Sequence, residues 1–229
     1  MATVDTPTPA PQIAVTRIES EPFGEHTYLV TLSGSRDCVV IDPGFEPDAI
    51  LEEIERQKLV PRSILLTHGH SDHIAGNGTL REAFPGLPIV IGRGDAWKLL
   101  DPMGNLSGLF GLPITSPPAD RLLDDGESFS VAGLTFSVME IPGHSSGHVV
   151  FHLADCTPPV VFGGDVLFQE GIGRTDFPDG DFAALAAGIR GKLYPLSHAT
   201  VVFPGHGPET TIGHERRHNP FVPAAPSAS

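Results

Sequence analysis

The chain has 229 residues, the size of one domain able to bury a substantial core. Its 28 acidic against 14 basic side chains leave a net charge of −14 with no basic stripe. That balance excludes nucleic acid and an anionic membrane surface as natural partners. Forty per cent of residues are hydrophobic, yet no apolar run approaches the length needed to span a bilayer, so a soluble, cytoplasmic protein is expected. Residues 1–12 are rich in Pro and Thr, with neither a basic start nor an apolar segment, and read as a flexible tail rather than a signal peptide. Residues 13–220 are read as the domain and 221–229 as a second flexible tail. Cys38 and Cys156 each sit beside an apolar run, as buried thiols of a reducing compartment would.

In chain order, residues 13–19 alternate imperfectly, as an edge strand does. Residues 26–32 and 37–41 form a strand pair joined by Ser33-Gly34-Ser35, and Asp42-Pro43-Gly44 stops the second strand. Pro47 opens a helix to about Lys58, with Ile50 and Ile54 on one face. A strand over 63–67 is followed by a helix over 72–84 despite Gly76 and Gly78, then by a short strand over 88–91. Residues 101–119 make a Gly/Pro-rich loop carrying Leu106, Leu109, Phe110, Leu112 and Ile114, apolar enough to serve as a pocket flap. Trp97 and Phe110 read as packing groups. Short strands follow over 134–141, 148–153, 160–162 and 200–203, with helices over 182–193 and 210–218. Strands that alternate with helices, run together and alternate again predict two sheets face to face with helices outside.

One stretch concentrates chemistry. His68, His70, Asp72 and His73 fall within six positions directly after the apolar run Ile64-Leu65-Leu66. Imidazole with carboxylate suits Zn²⁺, Fe or Mn²⁺, and the two-residue spacing of His68 and His70 places them on a strand end rather than one helical face. Three further apolar runs end the same way: Pro142-Gly143 then His144, Gly163-Gly164 then Asp165, Pro204-Gly205 then His206. Strand ends hold side chains rigidly, and glycine lets backbone approach a metal. Seven candidate ligands exceed one tetrahedral site and suit two adjacent metals that share a carboxylate, for which Asp165 is the natural bridge.

These motifs, with Pro142-Gly143-His144-Ser145-Ser146-Gly147-His148, Gly164-Asp165-x-Leu167-Phe168 and Gly171-Ile172-Gly173-Arg174, resemble the metallo-β-lactamase superfamily over about residues 13–220. Within it the chain looks like a compact bacterial subgroup of the glyoxalase II-like (hydroxyacylglutathione hydrolase-like) branch. The resemblance implies an α/β (α+β) four-layer αββα sandwich with metals at the lip between two mixed sheets. It implies two divalent metal ions, zinc first with iron or manganese as alternatives. His68, His70 and His144 would hold one, Asp72, His73 and His206 the other, with Asp165 and a hydroxide bridging. It further implies a metallo-hydrolase acting on a small-molecule thioester such as lactoylglutathione, with Asp72 and Asp165 orienting the hydroxide as catalytic groups.

Arg174 occupies the place of a basic residue that contacts glutathione in glyoxalase II, and it reads equally as a salt-bridged loop residue. Asp176 and Pro208 stand where that family has tyrosines. His148 is a candidate for holding the His144 loop, while His26, His152 and His198 read as ordinary surface or core-edge groups. His214, Arg217 and His218 make a solvated basic face on the last helix. The rival readings are a persulfide dioxygenase with one iron on His68, His144 and Asp165, a lactone or β-lactam hydrolase, and a non-catalytic metal-binding module.

Overall fold

A computed structural model describes residues 12–224. The first sheet takes β1 (Ile13–Ser20), β2 (Glu25–Leu32), β3 (Asp37–Ile41), β4 (Val60–Leu66), β5 (Ile89–Gly92) and β6 (Arg121–Leu123) in that order. β1 to β3 are antiparallel, and β3 to β6 are parallel. The parallel part needs crossovers, supplied by α1 (Pro47–Gln57), the short α2 (Ser71–Ile74) and α3 (Asn77–Ala83). The second sheet is built from β7 (Ser128–Val131), β8 (Leu134–Glu140), β9 (Val149–Leu153) and β10 (Val160–Gly164). A small hairpin, β11 (Leu167–Phe168) and β12 (Gly171–Ile172), leads to α4 (Phe182–Gly188), which continues as a π-helical turn over Ile189–Leu193. Next, β13 (Val201–Pro204) and β14 (Thr210–Thr211) complete that sheet, in the order β14-β13-β10-β9-β8-β7, before α5 (Ile212–His218).

The central strands carry apolar runs, Ile64–Leu66 on β4, Val149–Phe151 on β9 and Val160–Phe162 on β10, because both faces of the sheets are covered there. Side chains alternate between two cores with period 2. On β4, Leu65 enters the core between the sheets, while Ile64 and Leu66 enter an outer core with Ile50 and Ile54 of α1 and Leu80 of α3. On β9 and β10, Phe151 and Phe162 face Tyr28 and Ile41 between the sheets, while Val150 and Val161 face Leu185 and Ala186 of α4 and Ile212 of α5. Three apolar layers therefore separate four structural ones, the expected αββα sandwich.

Several expected elements differ in detail. The helix over 72–84 is two helices, because Gly76 sits against Pro43 and Gly44 and its N–H donates to the Pro43 carbonyl at 2.9 Å. The last helix begins only at Ile212, since 210–211 pair with β13 as an edge strand. The segment Arg93–Leu100 is a 3₁₀ helix, and β6 and β7 were not foreseen. Packing also continues past residue 220: Val222 is fully buried, and the Tyr194 hydroxyl donates to its carbonyl at 2.7 Å. The remaining tail expectations, over 1–11 and 225–229, lie outside the described residues. Both cysteines are free and buried, and no helix among the described residues is long and apolar enough to cross a membrane.

Candidate metal centre

The sheets are stitched together at one end. The Val149 N–H donates to the Thr67 carbonyl, the His26 N–H to that of Gly205, and the Gly205 N–H to that of Gly164, each at 2.8 Å. These bonds bring the ends of β4, β10 and β13 and the start of β9 to one lip, and the seven expected donors meet there. Ligand atoms of His68, His70 and His144 lie within 4.8 Å of one another, as do those of His68, His73 and Asp165, and those of Asp72, His73 and His206. His70 Nδ1 faces His68 Nε2 at 3.0 Å and His144 Nε2 at 2.9 Å. Asp165 Oδ2 lies 3.4 Å from His144 Nε2 and 3.5 Å from His206 Nε2, and Asp72 Oδ2 is 3.4 Å from His206 Nε2. Asp165 thus stands between the two histidine groups.

Hydrogen bonds behind the rings set their tautomers. His144 Nδ1 donates to the Arg174 carbonyl at 2.9 Å, His206 Nδ1 to that of Phe23 at 3.1 Å, and His73 Nδ1 to Asp42 Oδ2 at 3.1 Å. Thr67 Oγ1 donates to Asp42 Oδ2 at 2.6 Å, so it accepts from His68 Nδ1 at 3.1 Å. When neutral, all four rings are left with an Nε2 lone pair facing the shared space. Glycine makes the close approach possible: a Cβ on Gly205 would collide with Asp165 Oδ1 and lie 2.7 Å from His73 Cε1.

The electrostatics call for a cation. Around His73 stand Asp42 at 3.1, Asp165 at 3.5, Asp72 at 3.8 and Glu25 at 3.9 Å, nearly all buried. His73 Nε2 and Asp165 Oδ1 are buried and without a hydrogen-bond partner, and such groups are normally satisfied. Burial pushes the His68, His70 and His144 imidazoles below their ordinary range and so favours the neutral, ligating form. Burial opposes ionisation of Asp72, but the charge of His73 and the hydrogen bond from His206 prevail and hold its carboxyl well below the carboxylate range. Against burial, the neighbouring carboxylates push His73 and His206 above the ordinary imidazole range. Imidazole nitrogens and carboxylate oxygens so arranged fit one or two divalent metals, which would take the place of those protons.

Other expectations resolve as follows. His148 closes the His144 loop, its carbonyl accepting the Ile141 N–H at 2.8 Å, and also reaches beyond it: its Nε2 accepts the Asp165 N–H at 3.1 Å, and its ring stacks on His68. Arg174 lines the cavity above the centre, yet its guanidinium bonds Asp176 twice, at 2.9 and 2.8 Å. Phe110 and Trp97 are not packed away but are 62% and 52% exposed. Leu106 and Phe110 of the 101–119 loop line the same cavity. His26 is buried, its Nδ1 3.3 Å from the Pro204 carbonyl, while His198 is exposed. His214 faces Glu170 at 3.0 Å, so the last helix does not present a purely basic face.

Three groups escaped the sequence reading. Asp42, in a left-handed conformation at φ 48°, accepts from the Thr67 N–H at 2.7 Å and from His73. Its sequence signal was masked by an ordinary Asp-Pro-Gly strand stop. Asp95 and Lys98 form a buried ion pair at 3.3 Å. Asp95 accepts from the Gly69 N–H at 2.8 Å, the Gly147 N–H at 2.7 Å and the Ser145 hydroxyl, while Lys98 reaches Asp179 at 2.5 Å and Ser145. This clamp ties the His68–His70 loop to the His144 loop. A lone Asp and Lys three apart on a 3₁₀ segment carry no sequence signature of that role.

A family model for the metallo-beta-lactamase superfamily matches residues 20–206. The chain is 40% identical over 189 residues to the hydroxyacylglutathione hydrolase GloC of Haemophilus influenzae, covering 82% of this chain and 88% of the relative. Among solved structures it is similar to the BLEG-1 B3 metallo-beta-lactamase, at TM-score 0.87 and 40% identity over 91% of this chain and 99% of that one. It is also similar to TTHA1623 in a di-iron-bound form, at TM-score 0.80 and 38% identity over 91% of this chain and 100% of that one.

Proposed function

Because the chain belongs to the metallo-beta-lactamase superfamily, we propose that it is a metal-dependent hydrolase that cleaves a hydroxyacylglutathione-type thioester such as lactoylglutathione. The observation that carries this reading is the convergence of seven donors at one lip, with the Nε2 atoms of four histidines turned inward by bonds behind the rings. The likeness to a relative named hydroxyacylglutathione hydrolase supports the substrate class. His68, His70 and His144 would hold one divalent metal and Asp72, His73 and His206 a second, with Asp165 between. Zinc is proposed first, with manganese and iron, the metal named with TTHA1623, as alternatives. When bound, such a pair supplies Lewis acidity and hydroxide at neutral pH, from water whose pKa falls from 15.7 to about 7.

The protein's own groups do the rest. Asp72, kept ionised, would accept a hydrogen bond from the attacking hydroxide and orient it. Asp165 is anchored through its backbone N–H to His148 and has Oδ2 poised between His144 and His206. The apolar walls above exclude bulk water from the reacting carbonyl. A thioester loses a thiolate, already a fair leaving group, so no strong general acid is required.

The test is elemental analysis of protein purified without added metal, followed by a lactoylglutathione assay. Two metals per chain with metal-dependent thiol release is the expected result. One iron per chain with persulfide-dependent oxygen uptake would defeat the hydrolase reading. β-Lactam cleavage is the second reading, favoured by the likeness to BLEG-1, and a chromogenic cephalosporin assayed on the same preparation separates it.

A further inference from the structure

Above the metal-binding residues the cavity is apolar. Phe23, Phe110, Phe168, Phe177, Leu106 and Ile172 wall a volume of about 260 Å³. Arg174 is the one cationic side chain among the lining residues apart from the histidines. Its guanidinium is held by Asp176 and lies 4.6 Å from the Phe177 ring centre. Leu106 also lines a second cleft, of about 310 Å³, with Trp97, Met103, Leu109 and Pro178. Six of the nine exposed large hydrophobic side chains among the described residues fall within residues 97–112, around these two clefts. Scattered exposed hydrophobics are ordinary; a concentration at the mouth of a reactive cavity marks a surface that something apolar covers.

We propose that this site selects thioesters whose acyl part is an extended, uncharged apolar chain, seated against Phe110 and Phe177 and running over Leu106 toward Trp97. This inference rests on the thioester-hydrolase reading alone and departs from its hydroxyacylglutathione example, placing selection in an apolar acyl chain and not in the thiol carrier. The chain belongs to the acyl side because the lining apart from the proposed metal ligands is mostly phenyl and aliphatic, and its one guanidinium, Arg174, is already paired with Asp176, leaving no free cation to hold a charged thiol carrier. Glutathione, with two carboxylates, meets Arg174 and, in the second cleft, Lys98, each already paired with an aspartate, beside Asp101 and on a protein whose net charge is −14.

The experiment compares acetyl, butanoyl, hexanoyl and octanoyl thioesters of N-acetylcysteamine, a neutral thiol, with the same acyl groups on glutathione, using the metal-loaded full chain. The expected kcat/KM rises about two- to fourfold per methylene, and the glutathione carrier confers no advantage. Phe110→Ser, a change at an exposed side chain, lowers the octanoyl-to-acetyl ratio at least about fivefold. Trp97 is the single tryptophan and gives a readout independent of turnover. S-octyl-N-acetylcysteamine, a thioether that cannot be hydrolysed, shifts its emission to the blue saturably, and the S-methyl analogue does not.

A flat chain-length profile with preference for glutathione overturns the inference and leaves the hydrolase reading standing. Trp97 emission unmoved by the octyl thioether overturns the seating past Leu106. Failure to cleave any thioester in the series removes the hydrolase reading, and the inference with it.

Discussion

Four of the five site-facing histidines show the same division of labour, one nitrogen fixed by an acceptor behind it and the other left for the site; His70 instead turns Nδ1 to the site, with Nε2 buried and unpartnered. Asp42 serves two of these rings, His73 directly and His68 through Thr67. Asp42→Ala is therefore expected to lower metal affinity about 10–100-fold, as measured by competition with a chromogenic chelator. Asp165→Ala is expected to abolish turnover and lower the metal content per chain found by elemental analysis. Normal activity in that variant would refute its proposed place between two metals. Away from the site, burial pushes the Cys38 thiol from 9.0 up to about 12 and the Tyr194 phenol from 10.0 up to about 12. Between pH 9 and 12 the folded chain keeps protons that the unfolded chain releases, so stability falls as pH rises through that window. The melting temperature at pH 10.5 is expected below that at pH 8, and a thiol reagent at pH 8 should label both cysteines only after unfolding.

At the scale of elements, the site depends on how loops are held to sheet ends. The Asp95–Lys98 pair fastens two histidine loops and reaches Asp179 beyond them. Removing one partner of a buried pair leaves an uncompensated charge, so Lys98→Met is expected to cost about 3–5 kcal/mol in denaturant unfolding and to weaken metal binding. This clamp was invisible in the sequence because its members lie up to 84 residues apart, from Asp95 to Asp179, and each looks like an ordinary surface charge. The core strands were legible for the opposite reason. Buried on both faces, parts of β4, β9 and β10 are short apolar runs, Ile64–Leu66, Val149–Phe151 and Val160–Phe162. β7 was missed because Ser128–Val131 is short and half exposed. The helix expected over 72–84 was split by a tertiary contact at Gly76, which local periodicity does not contain.

For the whole molecule, the lip concentrates buried acids and imidazoles that a cation would neutralise. Metal removal by a chelator is expected to lower the melting temperature by about 5–15 °C, and zinc or iron should restore it. A melting temperature that ignores both treatments would show that the sandwich stands without metal. Three apolar layers make such a residual fold reasonable: the sheets and helices bury their own cores apart from the lip.

The sequence by itself determined the candidate donors and the layered architecture, since both follow from local composition and the period of apolar residues. Tertiary structure alone decided which nitrogen of each ring faces inward, how Asp42 and the Asp95–Lys98 clamp hold the loops, and that Phe110 and Trp97 border open clefts instead of filling a core. Those features depend on the relative position of segments distant in the chain, and distance in space is the quantity that a linear pattern of residues does not encode.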